Sequence, residues 1–188
     1  FQIQLFERKS EIMPLFKELS ASKGWKFTMG FEKAYDLSVL EYSFAFWQWG
    51  FNCSSIPASS STAKELFEHW LEVNPFSFFE ENEVDKVRPF FYQAMTEIGM
   101  YGYRVKPFSR YLSDTANITF SFAMPRGHRA IFNASAMSDI DRWVKDSGSY
   151  MLYIYGQNDA WSATAVDPGR KTNAVKMVCP GGSHSSRI

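Results

Sequence analysis

The sequence is short of what metal sites, redox chemistry and membrane insertion require. Its two cysteines, Cys53 and Cys179, lie far apart and in no metal-like spacing. They read as two buried thiols or, in an exported protein, as a disulfide. The three histidines, His69, His128 and His184, form no HxxxH or HxH pair, which argues against zinc, and no cofactor is implied. No apolar run is long enough to span a bilayer. An excess of one charge is also lacking. The 20 basic and 20 acidic side chains cancel, so no positive field is built for nucleic acid or an anionic membrane. A Gly-x-Ser-x-Gly nucleophile elbow occurs nowhere. The first residue is Phe1 rather than Met, with no charged segment leading into an apolar run. The expectation is that a leader and more have been removed, or that the sequence begins partway through a protein.

Aromatic residues, by contrast, are abundant: 18% of 188 positions, with 18 Phe, 9 Tyr and 6 Trp. A chain of this length builds a sizeable core from part of them. The remainder either joins that core or lines a cavity or partner surface.

The first 118 or so residues read as helical with short breaks. Residues 32–49 contain no Gly or Pro and are apolar on most sides, as in a helix that is buried or lines a pocket. Residues 53–61 (CSSIPASSS) form a small-residue linker. Thr62 and Glu65 make a capping-box pattern, and Leu66, Phe67, Trp70 and Leu71 give the helix behind it an apolar stripe that ends at Asn74-Pro75. A further helical period runs over 83–98, with Pro89 near its first turn and Gly99 and Gly102 after its end. Past residue 137 the pattern changes. Ser138 is expected to cap a short helix whose Ile140, Trp143 and Val144 face one way and which stops at Gly148. Residues 150–155 (YMLYIY) form a continuous apolar run suited to a strand buried on both faces of a parallel sheet, and 174–179 (AVKMVC) form a second strand. The reading is α/β, divided into a mostly helical region at 1–137 and strands with site-bearing loops at 138–188.

The loops after the two strands read Gly156-Gln157-Asn158-Asp159-Ala160-Trp161-Ser162 and Pro180-Gly181-Gly182-Ser183-His184-Ser185. In a parallel sheet they fall on the same edge, where α/β proteins place their sites. Acyl transfer by serine needs an imidazole to take the hydroxyl proton and a carboxylate to hold that imidazole. Asp159 and His184, 25 residues apart and each just past a strand, keep the chain order of acid then histidine found in α/β-hydrolases. Spacing alone leaves two plain alternatives open: an ordinary Asn-Asp turn and an exposed histidine near a terminus. If the pair is catalytic, the serine and the oxyanion donors come from sequence before Phe1 or from another chain.

YIYGQNDAWSATAV and PGGSHSSRI resemble the end of the bacterial tripeptidyl aminopeptidases, serine peptidases of the α/β-hydrolase clan related to lysosomal prolyl peptidases. LEYSFAFWQWG (40–50) and FFYQAMTEIGMYGY (90–103) resemble that family's helical lid. The resemblance implies the C-terminal part of an α/β-hydrolase, in which a large helical lid is followed by the last parallel strands. It also implies release of short peptides from free N-termini, proline favoured near the cut, and export to the periplasm or medium. Asp159 and His184 match the family's acid and base. Ala160, where Pro is more usual, is a minor departure.

An aminopeptidase must seat a protonated amine, and a partly buried carboxylate does this. Glu41 and Glu97 stand in otherwise aromatic or apolar segments and are the candidates, against a solvated face or an internal pair for each. Tyr42, Phe46, Trp47 and Trp49 would wall a subsite for proline, unless they are ordinary core. Trp161 is placed under the triad loop. Arg126, His128 and Arg129 receive no role. The partners implied are a peptide with a free N-terminus and the remaining N-terminal part of the hydrolase, in the same protein or a second chain. Two other classes stay in play: an esterase or lipase with the same triad, and an aromatic-rich helical binding module with no chemistry.

Overall fold

A computed structural model of the chain describes residues 1–116 and 118–186. Three helices build its first layer: α1 (Gln2–Glu7), α2 (Lys9–Lys23) and α3 (Phe31–Gln48). Gly24, in the left-handed conformation, ends α2. Helix α3 lies within a residue of its expected bounds and buries Ala34, Leu37, Val39 and Leu40 along with Tyr35 and Tyr42. Helix α4 (Ala63–Val73) starts at the expected capping box, with Thr62 Oγ1 accepting from Glu65 N at 3.2 Å and Glu65 Oε2 accepting from Thr62 N at 2.6 Å. Leu66, Phe67 and Trp70 turn inward onto Phe16, Tyr35 and Phe76 to form the main core.

Helix α5 (Glu81–Gln93) begins two residues before its expected start. The Glu80 carboxylate accepts from Asn82 N and Glu83 N and so supplies the cap. Pro89 is therefore in the helix interior rather than in the first turn. The helix widens into a π-type turn at Ala94–Ile98 and stops at Gly99, whose φ is +109° and whose N–H reaches Ala94 O at 2.8 Å. Helix α6 (Ser135–Asp146) starts three residues before the expected cap. Asn133 Oδ1, not Ser138, accepts from Ser135 N and from its hydroxyl.

Strands β1 (Met151–Gly156) and β2 (Ala174–Cys179) pair in parallel, in a register that sets Gly156 opposite Cys179. Tyr150, expected to open the strand, has φ of +59° and lies outside it. Burial on both faces is not observed: Leu152 and Val175 are each 54% exposed, and Ile154, Met177 and Val178 also face solvent. No described segment covers them. The expected buried thiols are likewise corrected, since Cys53 is exposed, Cys179 is half-buried, and both are free. Among the described residues no helix is long and apolar enough to cross a membrane.

Candidate active site

The parallel register brings the two strand-end loops together. Asn158 N donates to Gly182 O at 2.8 Å, Gln157 N to Cys179 O at 3.0 Å, and Gly181 N to Gln157 Oε1 at 2.9 Å. The approach requires glycine at 156, because a Cβ there would lie 2.3 Å from Ser183 O and 2.7 Å from Gly182 O.

Across this seam His184 Nδ1 meets Asp159 Oδ2 at 2.8 Å. The second carboxylate oxygen, Oδ1, accepts from Trp161 N at 3.1 Å, so both oxygens are engaged. The acid is sheltered, with 9% of its side chain exposed against 45% for the imidazole. With Nδ1–H given to the carboxylate, a neutral ring carries its lone pair on Nε2. Among the described residues Nε2 has no hydrogen-bond partner. It is therefore free to accept a proton from a group placed beside it. The end of the histidine motif, Arg187 and Ile188, lies outside the described residues.

Gln48, at the end of α3, ties the seam to the helical region. Gln48 O accepts from His184 N at 2.9 Å, and Gln48 Oε1 accepts from Trp161 Nε1 at 3.3 Å. Trp49 sets its ring edge-on to His184 at 6.0 Å. Next to this anchor opens an apolar cavity of about 480 Å³, walled by Trp49, Phe78, Phe90, Phe91, Met100 and Trp161. The aromatic surplus is thus split between the core and this cavity.

Glu41 stands in the cavity wall and is 8% exposed. Its Oε2 accepts from Tyr103 OH at 2.6 Å and from Tyr101 OH at 2.8 Å. Among the described residues it forms no ion pair. Burial pushes its carboxyl up to about 7, and the Tyr103 and Tyr101 hydroxyls pull it only part of the way back. Tyr101 also meets Trp161 edge-on at 5.5 Å, which links the carboxylate to the loop of Asp159.

Glu41 and Trp161 line this cavity, whereas Asp159 and His184 line a second one of about 330 Å³, with Trp161 common to both; three other candidates are elsewhere. Glu97 sits in the π-type turn and faces solvent, so the burial that singled it out is absent. Tyr42 is core: it is 4% exposed, stacks against Phe1, and shares a 2.9 Å hydrogen bond with His69 Nε2. Trp47 borders a separate shallow pocket with Phe1, Phe46 and Cys53. Positions 42 and 47 lie off the Glu41 face because each helical step turns about 100°. Sequence reasoning missed Tyr101, Tyr103 and Gln48. The two tyrosines are some 60 residues from Glu41, and no local pattern marks them as its donors.

The profile of the PS-10 peptidase S37 family matches residues 2–188. The chain belongs to that family. It is also similar to the prolyl tri/tetrapeptidyl aminopeptidase of Streptomyces mobaraensis, with 29% identity over 197 aligned residues. That alignment covers all of this chain and 41% of the relative, so the chain spans well under half the length of the curated relative it matches. No solved structure matches it.

Proposed function

We propose that this S37-family chain supplies the lid and the acid–base half of the triad of a serine aminopeptidase of the α/β-hydrolase type. Such an enzyme releases short peptides from free N-termini. The observation that carries the proposal is the 2.8 Å contact between Asp159 and His184 on neighbouring strand-end loops, with Nε2 free of any hydrogen-bond partner among the described residues. The nucleophilic serine and the oxyanion donors would come from sequence outside these 188 residues, in keeping with the 41% coverage of the relative.

In this reading His184 Nε2 takes the serine proton as the hydroxyl attacks the scissile carbonyl, then passes it to the departing amine. Asp159 holds the ring so that Nε2 faces the reaction, and stabilises the imidazolium that forms. Water then attacks the acyl-enzyme by the same route. The substrate's ammonium would sit against Glu41, whose Oε2 is held by the two tyrosines and whose Oε1 receives no hydrogen bond among the described residues. Phe90, Phe91 and Met100 offer an apolar wall for a proline ring. An esterase reading leaves the buried carboxylate of Glu41 without a purpose, because a neutral ester offers no cation to pair with it.

The test uses peptidyl-prolyl nitroanilides with the intact protein that carries this chain. His184→Ala should reduce kcat by about 10³-fold or more, and the purified 188-residue chain alone should release no nitroaniline. Wild-type rates in the His184→Ala protein would sink the proposal. Turnover by the isolated chain would place the nucleophile within it instead.

A further inference from the structure

We infer that Gln48 is a positioning residue of the triad, closing a ring of hydrogen bonds that holds the acid loop and the base loop at their working separation. The inference rests on the aminopeptidase reading above. The ring has four links. Gln48 O accepts from His184 N at 2.9 Å, and His184 Nδ1 meets Asp159 Oδ2 at 2.8 Å. Asp159 Oδ1 accepts from Trp161 N at 3.1 Å, and Trp161 Nε1 donates to Gln48 Oε1 at 3.3 Å. One residue of α3 thus grips both strand-end loops, the histidine loop through its backbone and the aspartate loop through its side chain. The indole N–H only donates, so the Gln48 amide must turn its oxygen, not its nitrogen, to Trp161.

Each loop needs such a hold. His184 follows Gly181 and Gly182, which have no side chains to pack, and its backbone N–H is given to Gln48. The Asp159 loop continues into a short 3₁₀ turn, Ala160–Thr164, whose hydrogen bonds are poorer than those of an α-helix. The Trp161 side of this turn is 37% exposed and rests edge-on against Tyr101, so packing restrains it on one side only. Against these two loops stands a stiff support. Helix α3 runs unbroken from Phe31 to Gln48 with most of its residues buried. Just past it, Gly50 comes so close to Ser183 that a Cβ would lie 3.2 Å from the serine Cβ and Oγ. The end of α3 therefore rests on the histidine loop as well as bonding to it. Proton transfer through His184 depends on where its ring points, which is what the closed ring fixes.

The experiment is done on the intact protein that carries this chain, with a peptidyl-prolyl nitroanilide and with diisopropyl fluorophosphate. The fluorophosphate forms a bond from the serine oxygen to phosphorus, releases fluoride and leaves the serine proton on His184. It carries no peptide, so its rate reads the acid–base half without the peptide cavity. Gln48→Met keeps side-chain length and helix propensity but removes the acceptor. It should lower kcat and the phosphorylation rate by one common factor of about 3- to 10-fold, the worth of a neutral hydrogen bond, with KM within about 2-fold of wild type. Gln48→Glu restores an acceptor and should bring both rates back to within about 2-fold of wild type. Trp161→Phe breaks the same bond from its other end and should slow phosphorylation by a similar factor, so the test does not hang on one variant folding. In that background Gln48→Met should cost less than about 2-fold more. Wild-type rates in folded Gln48→Met, a loss confined to KM, a Glu variant as impaired as Met, or full additivity with Trp161→Phe overturns the positioning role. A wild type that reacts with the fluorophosphate but cleaves no peptidyl nitroanilide overturns the aminopeptidase reading instead. The phosphorylation rates still decide the role of Gln48 in that case, so the two failures are told apart.

Discussion

Replacing Glu41 by Gln should make folding stability less sensitive to pH, with a sign and size that follow from the structure. In the unfolded chain this carboxyl titrates at 4.5, whereas burial raises it to about 7 in the fold. Between those values the native state keeps a proton that the unfolded state has released. The stability this protonation supplies is therefore complete below 4.5, declines as pH rises, and is gone above about 7. The full shift is worth roughly 3 kcal/mol at 1.36 kcal/mol per unit, of which about 2 kcal/mol falls between roughly pH 5 and pH 8. Gln is isosteric and can still accept from Tyr101 and Tyr103, but it has no proton to lose. The variant should thus gain on the parent by about 2 kcal/mol between those two pH values. Urea titrations of both proteins at constant ionic strength, followed by tryptophan fluorescence, measure the difference. A gap that stays constant, or one that moves against the variant as pH rises, would refute the reasoning. Either result would mean that Glu41 is ionised and well compensated in the fold.

Two further outcomes follow from the loop seam and the sheet. Gly156→Ala places a Cβ 2.3 Å from Ser183 O, so the loops must part; kcat of the intact protein should fall about 10²-fold, the usual cost of misplacing a catalytic group by about 1 Å. Unchanged kcat would show that the seam tolerates separation. The isolated 188-residue chain should self-associate at micromolar concentration, because Leu152, Ile154, Val175, Met177 and Val178 expose an apolar two-stranded sheet. A monodisperse monomer in light scattering would contradict this.

The site was legible where short-range chemistry dictates structure. Gly156 and Pro180-Gly181-Gly182 end the two apolar runs, which placed Asp159 and His184 on loops. Their 2.8 Å separation was beyond the sequence, because it depends on the Gly156–Cys179 register and on loop contacts between segments over 20 residues apart. Helix phase was harder to read. Helix α3 is apolar on most sides, so nothing local tells which face meets the core and which meets a cavity. Glu41 and Tyr42 were consequently assigned to one site although they look in different directions. Glu97 was lost to the π-type turn, which shifts the helical phase after Gln93 without any sequence mark. At α6 the segment from Asn133 to Ser138 offers several polar side chains, and the helix starts at Ser135, whose N–H is met by Asn133 one residue before the N-cap Ala134.

The two buried acids of α3 differ in how their charge is met. Asp36 is fully buried, yet it is answered by the Lys9 ammonium at 2.8 Å and by the backbone and hydroxyl of Ser113 at 2.8 and 2.7 Å. Its charge is neutralised internally, and the result ties α2 and α3 to the segment around Ser113. Glu41, five residues on, is given two phenol hydroxyls and no cation among the described residues. Phenols orient a carboxylate but do not cancel its charge. A buried acid with one oriented oxygen and no counter-ion among the described residues is under-compensated, and on the proposed reading a cation arriving through the cavity completes it. On the aminopeptidase reading proposed above, the neighbourhood that makes Glu41 costly to ionise is also what would favour a protonated N-terminus as its partner.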